Sequence, residues 1–391
     1  MDIKYSVLGF AVKVMKVLYA LLKLQKIRNK IVIISRQSSS PSIDIRLIET
    51  YFKEKYSDVE CVVLCRYLDN LNPISYLGEV MKQMKHMAQS KVILLDGYCI
   101  AASILKHKPD TKVVQMWHAL AAIKKFGYET IGKPSGHSKE VAEVMCMHRN
   151  YDYVISPSKA TGEIFCRCFD VSSDRVEYMA LPRVDEIVRP HSILPEEFRE
   201  TGCDEFRLHV RDEYGIGSES EIILYVPTFR KNKKVELKGI SEAVENTEFT
   251  LIVKAHPVFK GIEISNAETL PNVIVDWKYT SYQWLSICDR VVTDYSALGV
   301  EAALTGKPLY FFAYDIEEYS ENVGLNFNPI EELPTLSASK GTELKKLLEG
   351  EYDYEALSKF RNKYVSADIE NCTSRLGDFL AGIFDDGHNE N

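Results

Sequence analysis

At 391 residues the chain is longer than one ordinary hydrophobic core fills, so two α/β domains are expected. Hydrophobic residues at 46% and charged residues at 27% describe a soluble globular protein, and a formal net charge of -8 argues against non-specific nucleic-acid binding, which needs a basic surface. Nine cysteines without a CxxC pair read as reduced packing residues of a cytosolic protein, and the nine histidines show no metal-ligand spacing, so no metal site is expected.

Residues 1–30 place Leu8, Val12, Met15, Leu18, Tyr19 and Leu22 on one helical face, with Lys13, Lys16, Lys23, Lys26, Arg28 and Lys30 around it and no acid after Asp2. Lysines interrupt the apolar run too often for a membrane-spanning helix, and no small-residue cleavage site follows. The segment reads as a basic amphipathic helix lying on an anionic membrane surface, or as a helix packed on the first domain with solvated lysines.

From residue 31 strands and helices alternate. Strands are expected over 31–35, 59–66, 91–95, 111–117, 151–156 and 175–179, with helices over 43–56, 74–88 and 158–169. This succession predicts a parallel sheet covered on both faces. Trp117 and His118 stand at the strand-to-helix junction after 111–117, and Lys124 and Lys125 follow. A histidine at the carboxyl edge of a sheet is a candidate general base for a hydroxyl, although position alone favours a buried histidine satisfied by a backbone group. The stretch 127–150, with Gly127, Gly132, Pro134 and Gly136, is loop-like and fits either a mobile acceptor lid bordering a cleft or a surface excursion. Pro182, Pro190 and Pro195 among many charges place the domain boundary within 182–220, giving a first domain of 31–190 and a second of 191–391.

The second half opens with a strand over 222–226 and then Pro227-Thr228-Phe229-Arg230. The planar donor set of Arg230 suits a phosphate; a solvated surface arginine is the alternative. A strand over 250–253 leads to Lys254-Ala255-His256-Pro257, where the proline disfavours helical geometry at His256 and presents its imidazole from a rigid loop. After a strand over 273–275 and a helix over 280–288, residues 289–314 read as strand, helix and strand, with Ser296 as N-cap of a helix over 296–304. Asp294, Tyr295 and Ser296 then fall at the carboxyl end of a strand, where open α/β sheets bind ligands. The helix N-terminus suits a phosphate and Glu301 the hydroxyls of a ribose, while a capped helix after a buried strand explains the same residues without any ligand. Residues 341–382 read as helical. The lack of a Walker loop or a GxGxxG after the first strand counts against an ATPase or a dinucleotide oxidoreductase.

The string from Asp294 to Asp315 resembles the C-terminal signature of the CDP-glycerol glycerophosphotransferase family, teichoic-acid and capsule enzymes with a GT-B glycosyltransferase-like fold. The matching residues are Asp294-Tyr295-Ser296, Glu301, Lys307-Pro308 and Ala313-Tyr314-Asp315. Trp117-His118, Pro182-Arg183 (with Leu181 where the family commonly has Gly), Pro227-Thr228-Phe229-Arg230 and Lys254-Ala255-His256-Pro257 extend the likeness in the family's order. The resemblance implies two Rossmann-like parallel-sheet domains facing across a cleft, with the last helices crossing back to the first domain. It implies His118 and His256 as catalytic residues, Thr228, Arg230, Lys254, Asp294, Tyr295, Ser296 and Glu301 on the donor side, and Trp117, Lys124 and Lys125 on the acceptor side. The donor would be CDP-glycerol or CDP-ribitol with no further cofactor, and the acceptor a lipid-linked or polymeric polyol phosphate or saccharide, with the enzyme peripheral at the inner face of the cell membrane. Where the family commonly has Gly-Thr-Pro after the histidine this chain has Ala119-Leu120-Ala121, which bears on the acceptor. A GT-B nucleotide-sugar glycosyltransferase and a non-catalytic membrane assembly protein are the other readings.

Overall fold

Ile31, Val32, Ile33 and Ile34 are each at most 1% exposed, so one strand is covered on both faces, as a central parallel strand must be. The computed structural model describes residues 3–68, 71–228, 230, 237–254 and 272–386. The chain forms two compact units, one of Met1–Arg183 with Val365–Asn391 and one of Val184–Tyr364.

Among the described residues the first unit holds six strands, β1 (Arg28–Ser35), β2 (Glu60–Cys65), β3 (Ser90–Leu95), β4 (Lys112–Gln115), β5 (Tyr153–Ser156) and β6 (Val176–Tyr178). They pair in parallel in the order β2-β1-β3-β4-β5-β6. The order reverses between β1 and β3, so their carboxyl ends, at Ser35 and Leu95, border the crevice where such sheets take ligands.

The helix Cys372–Asp386 packs on the helix Ile43–Lys55 and on β3. Asp378 accepts from Tyr51 at 2.5 Å and from Tyr56 at 2.9 Å, and Lys91 Nζ donates to the Phe384 carbonyl at 3.0 Å. The two helices meet through Gly377, where a Cβ would stand 2.3 Å from the Tyr51 ring. Gly377→Ala is therefore expected to lower stability by about 1–3 kcal/mol through overpacking. On the same helix a Cβ at Gly382 meets nothing within 4 Å, so Gly382→Ala should gain about 0.5–1 kcal/mol from helix propensity. Denaturant unfolding of the two variants side by side checks the contrast.

The N-terminal helix Ile3–Leu22 docks on the first unit by the face that its sequence marks as apolar. Val12 and Tyr19 are buried, and Met15, Leu18 and Leu22 half-buried. His107 donates Nε2–H to the Ala102 carbonyl at 2.9 Å, which leaves its Nδ1 to accept from the Tyr19 hydroxyl at 2.8 Å. The opposite side is apolar too: Phe10 is 69% exposed, Val17 63% and Leu21 61%. Of the two readings the sequence allowed for this face, packing on the first domain is the one found, and a second apolar stripe is left open. Among the described residues no helix is long and apolar enough to cross a membrane.

The second unit repeats the plan. Its strands are β7 (Ile222–Val226), β8 (Thr250–Val253), β9 (Val273–Val275), β10 (Arg290–Thr293), β11 (Leu309–Phe312) and β12 (Ser337–Ala338), parallel in the order β12-β11-β10-β7-β8-β9. Its reversal lies between β7 and β10, which brings Thr228 and Asp294 together at the carboxyl edge.

Candidate functional site

The carboxyl edge of the first sheet is organised around His118. β4 stops at Gln115 and not at Trp117, because Trp117 takes φ +60°. No helix follows His118: residues 119–123 form a buried irregular segment, so the expected strand-to-helix junction is a strand-to-loop one. The ring of Trp117 stacks on Phe126 at 4.3 Å and 16° and lies against the His118 ring at 4.3 Å.

His118 is half-buried, and its Nδ1 donates to the Asp96 carbonyl at 3.1 Å. Since a carbonyl only accepts, the proton of the neutral ring sits on Nδ1 and the lone pair on Nε2. Burial pushes the imidazole down to about 4, with the charges of Arg183 and Lys124 acting in the same direction and the Asp96 hydrogen bond opposing. Lys124 and Lys125 are half-buried on the segment that leaves this loop. Burial also pushes the Asp96 carboxyl up to about 6.

Arg183, in the resemblance-bearing Pro-Arg pair, is 8% exposed and meets Asp44. Asp44 accepts from the Arg183 backbone N at 2.8 Å and from Nε at 2.8 Å. Asp44 was not singled out from the sequence; its signal was an acid in the first turn of the helix after β1.

At the carboxyl edge of the second sheet Asp294 is fully buried and accepts from Thr228 N at 2.8 Å, Tyr295 N at 2.6 Å and Arg230 Nη1 at 2.8 Å. Arg230 spans Asp315 with Nε at 2.7 Å and Nη2 at 2.8 Å, and gives Nη1 to the Thr228 carbonyl at 3.0 Å. Burial disfavours its charge, but Asp315 and Asp294 hold its pKa above the ordinary arginine value. The alternative of a solvated surface arginine is thereby corrected: two aspartates engage the donor set that suits a phosphate, and Tyr295, Tyr314 and Tyr319 rings enclose it at 5.7, 5.0 and 5.4 Å. Three strings far apart in the sequence thus form one knot.

The first turn after Asp294 also differs from expectation. The helix spans Leu298–Ala303, and Ser296 is not its N-cap. The Ser296 hydroxyl accepts from Leu298 N at 3.3 Å and its carbonyl from Gly299 N at 3.0 Å, so these amides are occupied locally. Ser296 is half-buried, whereas Asp294 and Tyr295 beside it are fully buried, so Ser296 is the residue of this string that reaches the surface. Glu301, 3% exposed, accepts from the Tyr282 hydroxyl at 2.8 Å.

Lys254 follows β8 and is tied to Asp276, with Nζ 3.0 Å from its carbonyl and 3.1 Å from Oδ2. Asp276 also accepts from the Tyr214 hydroxyl at 2.6 Å and Trp284 Nε1 at 2.8 Å; burial opposes its ionisation, and these bonds hold its pKa below the usual value. His256, expected to be catalytic, lies outside the described residues. Among the described residues no group of three or more His, Cys, Asp or Glu could hold a metal ion.

The model of the family described as CDP-Glycerol:Poly(glycerophosphate) glycerophosphotransferase matches residues 17–382. The chain is 26% identical over 387 residues to the teichoic acid ribitol-phosphate primase of Bacillus spizizenii, covering 95% of each. It is 25% identical over 322 residues to the teichoic acid glycerol-phosphate primase of Bacillus subtilis, covering 81% of this chain and 79% of that one. Among solved structures, the wall teichoic acid polymerase TagF matches at a TM-score of 0.69 and 18% identity, covering 100% of both chains. A UDP-GlcNAc 2-epimerase from Methanocaldococcus jannaschii matches at 0.56 and 14%, covering 90% of this chain and 99% of that one. These two share the fold, an α/β plan of GT-B type. With the family model running through both sheets and every string described above, the chain belongs to the CDP-glycerol:poly(glycerophosphate) glycerophosphotransferase family.

Proposed function

We propose that the protein transfers glycerol phosphate from CDP-glycerol to a hydroxyl of a teichoic-acid-type acceptor and releases CMP. The observation that carries this reading is the family match over residues 17–382; the geometry supplies a chemistry for it. His118, neutral with its lone pair on Nε2, takes the hydroxyl proton as the acceptor oxygen attacks the phosphorus bearing the glycerol. The new P–O bond forms as the bond to CMP breaks, and CMP leaves with the electron pair. Trp117, Lys124 and Lys125 border the acceptor.

On the donor side Thr228, Lys254, Ser296 and Glu301 edge the crevice of the second sheet, with Asp294 and Tyr295 behind them. Arg230 acts here as a positioning residue that holds the Thr228 and Tyr295 loops through Asp294 and Asp315. His256 joins this set by resemblance to the family. The 95% coverage of the ribitol-phosphate primase favours CDP-ribitol as the second reading of the donor. Incubating the protein with CDP-glycerol, CDP-ribitol or CMP-sugars and a lipid-linked acceptor, and following CMP, tests the reading. Turnover of a CMP-sugar alone would sink it.

The enzyme would work at the inner face of the membrane on a lipid-linked acceptor. Support comes from the outer stripe of the N-terminal helix, where Phe10, Val14, Val17 and Leu21 are exposed beside Lys13 and Lys16. Phe10→Asp/Leu21→Asp is expected to weaken co-sedimentation with phosphatidylglycerol vesicles at least roughly tenfold, from apolar area kept in water. Undiminished binding by the double variant would place the contact elsewhere.

A further inference from the structure

Trp117 at φ +60° adopts a left-handed backbone that an aromatic residue holds only when its surroundings impose it. What imposes it is Gln115, the last residue of β4, which is fully buried. Its Oε1 accepts from Trp117 N at 2.9 Å, and its Nε2 donates to the Gly97 carbonyl at 3.0 Å. Gly97 follows Asp96, the residue whose carbonyl receives His118 Nδ1. One side-chain amide therefore ties the turn before His118 to the loop that holds the His118 ring. The loop passes close to the His118 ring: a Cβ at Gly97 would stand 4.0 Å from His118 Nδ1 and 2.8 Å from Nε2 of Gln37, which follows β1. Trp117, clamped on Phe126, fixes the other side of the ring.

We propose that Gln115 is a positioning residue of the transfer reaction, its amide bridging Trp117 N and Gly97 O to hold the left-handed turn that aims His118 Nε2 at the acceptor hydroxyl. The inference rests on the reading of His118 as the base. A planar amide suits the bridge, which takes an acceptor and a donor from one group of this length, and the Tyr151 side chain is a further hydrogen-bond partner of Gln115. Glutamate keeps the acceptor but turns the donor into a second acceptor facing a carbonyl. Methionine of similar length removes both.

The test compares full-length Gln115→Glu and Gln115→Met with the unaltered protein and His118→Ala, using CDP-glycerol and a lipid-linked acceptor. Four quantities are read: kcat, the donor KM, the thermal midpoint, and the His118 tautomer from ¹⁵N shifts of histidine-labelled protein. Gln115→Met is expected to lose about tenfold to a hundredfold in kcat, as a misaimed base does, with donor KM changed less than about threefold. Its His118 should leave the pure Nδ1–H tautomer, and Gln115→Glu should fall between. If Gln115→Met does not fold, Gln115→Glu is read by the same criteria. Retention of kcat and of the Nδ1–H tautomer in a folded variant overturns the proposal, as does a kcat loss matched by equal loss of donor binding. Full activity of His118→Ala would instead refute the base assignment, and the tautomer shift would still judge the bridge.

Discussion

His118→Ala is expected to slow acceptor-dependent CMP release by about a hundredfold or more while leaving the donor KM nearly unchanged. The reason is local to the first sheet: its carboxyl edge holds one imidazole with Nδ1 bound to a carbonyl and the Nε2 lone pair uncommitted. The pH profile sharpens the test. A base works unprotonated, and burial pushes His118 down to about 4, so kcat/KM should stay level from pH 7 to about pH 5.5 and fall only below it. The sign for stability runs the same way. His118 and His148, the latter pushed down to about 3 by burial, bind protons less readily folded than unfolded. Their contribution to stability is then full above the unfolded pKa of about 6.5 and is lost as pH falls toward the folded values, while Asp96, raised to about 6, contributes with the opposite sign. A kcat/KM limb centred near 6.5 in protein that is still folded, or full activity without the imidazole, would refute this account.

The second large effect is expected on stability. Arg230→Met should cost the second unit about 3–5 kcal/mol, because it removes the cation that, among the described residues, Asp294 and Asp315 share, and leaves one carboxylate fully buried and a second half-buried. Arg230→Lys should recover only part of this loss, since a point charge cannot reproduce the fork that spans Asp315 while also reaching Asp294. The sign of the pH response identifies the cause. Carboxylates left without their cation favour the protonated form when folded, so the stability deficit of Arg230→Met relative to the unaltered protein should shrink as pH falls from 7 to 5. Denaturant unfolding at both pH values checks it. A deficit that is the same at both pH values would show that the carboxylates were not the liability.

The parallel strands were legible because a strand buried on both faces must be apolar throughout. The run of 31–34, the run of 222–226 and the run of 291–292 each announce themselves without help from neighbours. The carboxyl ends of the last two were legible for the same reason, and with them the loops that carry Thr228 and Asp294-Ser296, whereas the end of β4 was not, since the left-handed turn at Trp117 leaves no mark in an apolar run. The second apolar side of the N-terminal helix was present in the sequence as well, at 10, 14, 17 and 21, but a pattern cannot say which of two apolar sides is docked.

What the chain's order of residues determined, then, is the alternation of apolar runs, the two sheets that follow from it, and the side chains standing at the sheet edges, because each of these depends on residues near one another in sequence. Which partner each charged edge residue takes was decided by tertiary structure alone. Arg183 meets Asp44 across 139 residues and Arg230 meets Asp315 across 85, and such pairs exist only after strand order has brought distant loops to one edge. The same holds for the base: the turn that ends β4 at Gln115 and the carbonyl that sets the His118 tautomer come from different loops, joined by the packing of β3 beside β4.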